Sequence, residues 1–343
     1  MGSFKQTKST MSNAILSDPR WFPFRYNAAL EQILFVWIPY ETHRAITFLS
    51  DLRPQPDQVE AVALKDINPD RIATGPIHYI QHSGMNGSTF LARVLSQWGV
   101  VNTLKEPLII RDLVLQRSSP AAPTLLRVVT ALLARPFTPG MTTIVKLSNI
   151  GNGMAGDMVA LAGGSRLLCM HAPVEVMLGS LASRGAPGRE ASRRLFDVLR
   201  SAGAADFDGI TDADVGSMGA LQRGALAWLA MQRQIWDNAK RFGAQRLRSI
   251  DSETLIANPA ASVPAIGDHL GFKLDIEQRI AAGVFDRHSK TGEPFSPEMR
   301  QRSLEERKRR FGPEIDPIAE WTRKIAAAEN IPWELPFPLD QRA

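Results

Sequence analysis

Gly84, Asn86, Gly87, Ser88 and Thr89 crowd into one short run, and their types suit an anion. Small residues let backbone approach a ligand closely. N–H groups at a helix start point outward with the positive end of the helix dipole behind them. Leu91, Val94, Leu95 and Trp98 follow at helical spacing, and Ile77-His78-Tyr79-Ile80 precedes as a β-prone run. The run therefore reads as a phosphate cradle between a strand and a helix. A capped turn with no ligand would use the same Ser and Thr types. The loop lacks a cation: Gly87 precedes Ser88 where a Walker loop carries Lys, and no Lys or Arg lies between His82 and Thr89.

Other chemistry-bearing residues follow in order. Glu106 stands before Pro107 at the end of the strand Val100–Leu104, placed to act as a base or to orient another group. A helix-start carboxylate favoured by the dipole is the plainer alternative. Lys146 ends the apolar run TTIVKL, where a cation could stabilise charge developing on a transferring group. A lysine snorkelling from a strand end would look the same. His171 ends a further strand, and Ser180 with Arg184, four apart on one helix face, could hold a second phosphate. His288 and Lys290, beside Arg287, suit an anion clamp in a polar loop, or an ordinary surface turn. No histidine pair has metal-like spacing, and no metal is expected.

These residues need strands and helices to bring them together. Strand-like runs recur at Ile77–Ile80, Val100–Leu104, Thr142–Leu147, Arg166–Met170 and Arg246–Ile250. Helical spacing falls between them at Leu125–Leu133, Gly153–Leu161, Pro173–Arg184, Leu221–Phe242 and Ile266–Leu270. Such alternation predicts βαβ units and an α/β fold with a mainly parallel sheet, whose ligand lies beyond the C-terminal strand ends. Residues 1 to about 20 read as poorly ordered, Trp21–Leu52 as a small cap with one helix or strand, and Arg53–Gln58 as a linker.

The 343 residues suit one large α/β domain with extensions, or two domains. A lone cysteine, Cys169, excludes an internal disulfide framework and reads as buried packing. No signal peptide or membrane span is visible, so a cytoplasmic protein is expected. The formal charge of +5 suits an anionic partner, with no aromatic-interleaved stripe of the nucleic-acid type. Arg189, Arg193, Arg194 and Arg200 read as one solvated helix face, and Arg300, Arg302, Arg307, Lys308, Arg309 and Arg310 as another.

The assembled motifs resemble the sulfotransferase family, nearest a poorly described bacterial branch. Met85-Asn86-Gly87-Ser88-Thr89 is similar to the family's basic-Ser-Gly-Thr-Thr loop, and Lys146-Leu147-Ser148 to its strand-end lysine. HAPVEVMLGS is similar to the Arg-x-Pro segment with a downstream serine, and Ile250–Phe272 to the late strand, Glu-x-Leu turn and Leu-Gly helix end. Lys105-Glu106-Pro107 and His288-Ser289-Lys290 complete the likeness. The departures are Met85 for the basic loop residue, His171 for arginine, and a serine one place late.

The resemblance implies a three-layer fold with P-loop NTPase-like topology. It divides the chain into an N-terminal extension and cap (1–70), a sulfotransferase-like domain (71–290) and a helical C-terminal extension (291–343). It implies 3′-phosphoadenosine 5′-phosphosulfate (PAPS) as co-substrate and an unidentified hydroxyl or amine acceptor. Lys146, Glu106 and His288 would be catalytic. Gly84, Asn86, Gly87, Ser88, Thr89, His171, Ser180, Arg184 and Lys290 would bind the nucleotide. The competing readings are a P-loop kinase or NTPase, which the absent Walker lysine disfavours, and a non-catalytic binding protein that keeps the fold.

Overall fold

The computed structural model describes residues 13–277, 283, 285–286 and 293–339. His288 and Lys290 lie outside the described residues. The described residues form two compact units, those within 1–79 and 91–166 and those within 80–90 and 167–343.

The first unit opens on β1 (Trp21–Asn27), β2 (Gln32–Trp37), α1 (Tyr40–Ala45) and β3 (Val59–Ala63). The strands form an antiparallel sheet in the order β1-β2-β3. This is more than the single element expected for Trp21–Leu52, because Ile33 and Phe35, alternate residues of β2, are buried on one face with Tyr26, the β1 partner of Ile33. The expectation of disorder to about residue 20 is also corrected over residues 13–20. Residues 13–17 are helical, and buried Arg135 donates to the carbonyls of Ile15, Leu16, Asp18 and Trp21. A long-range tether of this kind leaves no local signal.

β4 (Ile77–His82), α2 (Ser88–Leu95), β5 (Val101–Lys105), α3 (Leu108–Leu115), α4 (Ala122–Leu133), β6 (Thr142–Lys146) and α5 (Ala155–Leu161) follow. The sequence reading has no counterpart to α3. Pro107 starts that helix, and its buried Asp112 accepts a forked pair of bonds from Arg25 and one from the Tyr26 N–H, fastening it to β1.

The second unit contains β7 (Leu167–His171), α6 (Val174–Ala182), α7 (Ala186–Ser201), α8 (Asp212–Ser217), α9 (Ala220–Arg246), β8 (Leu247–Asp251), α10 (Ser252–Ala257), α11 (Pro259–Leu270) and α12 (Pro297–Ala328). α9 packs on α6 and α7, and α12 packs on α6 and α9. Trp228, Phe196, Leu178 and Ile315 are buried in this cluster. Burying each such side chain stabilises by about 1.5–3 kcal/mol.

The main sheet is five-stranded and parallel, in the order β5-β6-β4-β7-β8, with helices flanking it. Every residue of β4, β5, β6 and β7 is buried. Continuous burial is the mark of parallel strands covered on both faces. The α/β expectation therefore holds, with β4 at the centre.

Candidate functional site

The loop after β4 owes its shape to left-handed backbone. Gly84 has φ +85°, Met85 +51° and Gly87 +71°. Glycine takes such angles without penalty, whereas a side chain there costs about 1–2 kcal/mol. Asn86 holds the turn against β7: its Nδ2 donates to the Met170 carbonyl at 2.5 Å, and its Oδ1 accepts from the Ser88 N–H at 3.4 Å. Ser83 adds a second staple, donating its N–H to Met170 and accepting from the Ala172 N–H. Asn86 and Ser83 are buried, so their side chains shape the loop from behind. α2 starts at Ser88, which directs the N–H groups of its first turn outward.

A pocket of about 320 Å³ opens on this loop, lined by Met85, Asn86, Gly87, Thr89 and Phe90. Ser180, Ser183 and Arg184 reach it from the end of α6 and the turn beyond, and Arg300 and Arg307 from α12. Phe90, Ile256 and Phe295 supply an apolar end. Three guanidiniums thus share one small space. Burial, then the like charges of Arg300 and Arg184, lower the Arg307 pKa. Like charges held together without enough carboxylates favour an incoming anion. Glu253 pairs with Arg300 through both carboxylate oxygens, at 2.8 and 3.2 Å, and so orients it. A larger cavity of about 490 Å³ shares Arg307, but Glu175, Glu305 and Asp316 in its wall make it a poorer anion site.

The loop has a cation beside it that comes from elsewhere in the chain. Arg184 Nη2 lies 3.2 Å from Met85 Sδ, so a guanidinium stands beside the position where the loop has none. The structure thus brings Ser180 and Arg184 to the loop. It also brings Arg300 and Arg307, which the sequence reading assigned to a solvated helix face. That assignment is corrected. The two arginines are seven apart on α12, which puts both on one face, and this spacing is the only local signal that could have singled them out. Gly84 and Ser88 belong to the turn but do not line the pocket.

His171 is placed elsewhere. It is buried, edge-on to Trp228 with ring centroids 5.5 Å apart, and outside the pocket lining. Burial pushes its pKa down to about 4. A neutral imidazole there gives the pocket no charge. Trp228 Nε1 donates to the Ala172 carbonyl, fixing the start of α6.

The first unit carries the second group of candidates. Lys105 and Lys146 are register partners on β5 and β6. Lys146 is buried, and its Nζ bonds to the Glu106 carboxylate. Burial lowers the Lys146 pKa and Glu106 opposes that shift. Glu106 also donates its N–H to the Lys146 carbonyl at 2.9 Å, so the two residues are clamped at backbone and side chain. Its φ is +59°, a costly angle for a non-glycine residue. The Glu106 side chain remains 22% exposed, enough to meet a small molecule. The Phe48 ring lies 5.4 Å from Lys146 Nζ.

The chain is an α/β protein with a parallel main sheet, a positively charged pocket on a glycine loop, and a buried lysine paired with a partly exposed glutamate at a strand end. No family model and no curated protein matches the chain. Among solved structures it is similar to a sulfotransferase domain from the curacin biosynthetic pathway, at 12% identity and TM-score 0.43, over 77% of this chain and 99% of that one. It is also similar to the sulfotransferase domain of the Synechococcus PCC 7002 olefin synthase, at 17% identity and TM-score 0.37, over 66% and 80%. A sulfotransferase from Mycobacterium tuberculosis H37Rv matches at 15% identity and TM-score 0.36, over 70% and 78%. Among the described residues no helix is long and apolar enough to cross a membrane, and no cluster of His, Cys, Asp and Glu could hold a metal ion.

Proposed function

We propose that this protein is a sulfotransferase that moves a sulfuryl group from PAPS to a hydroxyl or amine. The observation that carries the reading is the pocket in which the Gly87–Thr89 turn meets Ser180, Arg184, Arg300 and Arg307. Its chemistry suits a nucleotide with two separate phosphate groups. The N–H groups at Gly87 to Thr89 would hold one phosphate, and Ser180 with the arginines the other. Phe90, Ile256 and Phe295 offer the base an apolar surface. The motif resemblance supports the same reading.

When bound, the co-substrate supplies the activated sulfuryl group. Held by the Glu106 carboxylate, the Lys146 ammonium would stabilise developing negative charge, and in a dry setting far better than in water. Glu106 accepts the acceptor's proton, and Lys146 neutralises the carboxylate until then. His288 and Lys290, as further base and clamp, complete the proposal.

Isothermal titration of the full-length protein with 3′-phosphoadenosine 5′-phosphate tests the reading. Binding at millimolar concentration or better is expected. Its absence overturns the proposal.

A further inference from the structure

Lys105, a cation with no role in the scheme above, is 2% exposed. Its Nζ donates to the carbonyls of His43 at 3.0 Å and Arg44 at 2.8 Å. These belong to the last turn of α1, where no later helical N–H reaches them. Burial, with Arg44 and Arg93 adding to it, pushes the Lys105 amine down to about 8. So costly a placement persists only where the group has fixed partners.

The position of Lys105 gives that cost a purpose. Register partners on adjacent parallel strands present their side chains to the same sheet face, and Lys105 is the partner of Lys146. One short segment spans both lysines. Its carbonyls at His43 and Arg44 take Lys105, and its Phe48 ring lies against Lys146. The buried His43 ring also holds the segment, with Phe22 and Phe137 each 5.2 Å away.

We propose that Lys105 is a positioning residue: it ties the 43–48 segment across β5 and β6, so that Phe48 covers Lys146 and keeps the Lys146–Glu106 pair closed. The catalytic meaning rests on the sulfotransferase reading, whereas the tether does not. Without Lys105 the His43 and Arg44 carbonyls lose their partner, the segment lifts, and Lys146 meets solvent.

The test uses the full-length protein and acetic anhydride as a lysine probe. Lys105→Met keeps length and removes the donors. Its Ile46 amide, bonded to the Thr42 carbonyl in the wild type, is expected to lose hydrogen-exchange protection. Acetylation of Lys146 should rise about tenfold, with protection in α4 and binding of 3′-phosphoadenosine 5′-phosphate unchanged. Lys105→Arg, which keeps donors for both carbonyls, should restore slow acetylation. Phe48→Ala should speed acetylation of Lys146 while leaving the Ile46 amide protected. Wild-type acetylation in both Lys105→Met and Phe48→Ala overturns the proposal. So does loss of protection in α4 as large as at Ile46, which would make Lys105 a general core residue. If the wild type binds no nucleotide while these labelling results hold, the sulfotransferase reading fails and the tether stands.

Discussion

The pocket on the glycine loop and the Lys146–Glu106 pair are both charged, yet they manage charge in opposite ways. In the pocket Arg184, Arg300 and Arg307 face one another, and Arg300 is paired with the Glu253 carboxylate. At the strand end Lys146 is buried and already bonded to Glu106. An open group of like charges gains by taking up an anion. A closed pair is neutral at rest and gains only when one member gives up its partner or takes a proton. The first arrangement suits binding and the second suits chemistry.

The comparison is broken most directly at Lys146. Lys146→Met should lower kcat by about 10²–10³ and leave nucleotide affinity near the wild-type value, since no residue of the pair lines the pocket. Single-turnover kinetics beside a nucleotide titration measure the two effects. A fall in affinity as large as the fall in rate would show that the two regions do not divide the work. Arg307→Ala should do the reverse, weakening nucleotide binding about 10–100-fold, because a charge-assisted contact is worth about 1.5–3 kcal/mol. The wild-type affinity should also fall as salt rises, and less steeply in Arg307→Ala, since fewer charges then meet the phosphates.

How much of this was legible in the sequence follows from range. The strand-to-helix turn at Ile77–Leu95 is local: β-prone residues, glycines and a helical stripe in one window, and the structure has β4, the turn and α2 there. Glu106 and Lys146 each stood out at a strand end. Their mutual clamp did not, because register between distant strands is not written in either one. Arg300 and Arg307 were legible only as charge on a long helix. Their role depends on α12 packing on α6 and on Glu253 orienting Arg300, contacts that join residues tens of positions apart. His171 misled for the opposite reason. Its strand-end position suggested a ligand, while Trp228, more than fifty residues later, makes it a packing group.

A finer test of the pocket is Gly87→Ala. A methyl group there meets only Ile256 Cδ1 at 3.9 Å, which is ordinary contact, so space is not the obstacle. The obstacle is φ +71°, which costs a residue bearing Cβ about 1–2 kcal/mol. Nucleotide affinity should fall by about 5–30-fold if the turn must keep that angle to bind, since about 1.4 kcal/mol is tenfold. An unchanged affinity would mean that the arginines alone hold the anion.

The smallest effect is expected at Met85, and it bears most directly on the loop's missing cation. If the pocket were short of positive charge, Met85→Lys would strengthen nucleotide binding strongly. Yet Arg184 already stands 3.2 Å from Met85 Sδ, and both residues lie near solvent. A second cation there adds one half-screened contact and one repulsion, each worth at most about 1 kcal/mol. The two nearly cancel, so affinity should change by no more than about threefold in either direction. In an Arg184→Ala background the repulsion is gone, and the same Met85→Lys change should recover most of the affinity that Arg184→Ala loses. Titrating the two single variants and the double variant measures that coupling. Additive effects would mean that Arg184 does not stand in for the loop cation, and the pocket would then rest on Arg300 and Arg307.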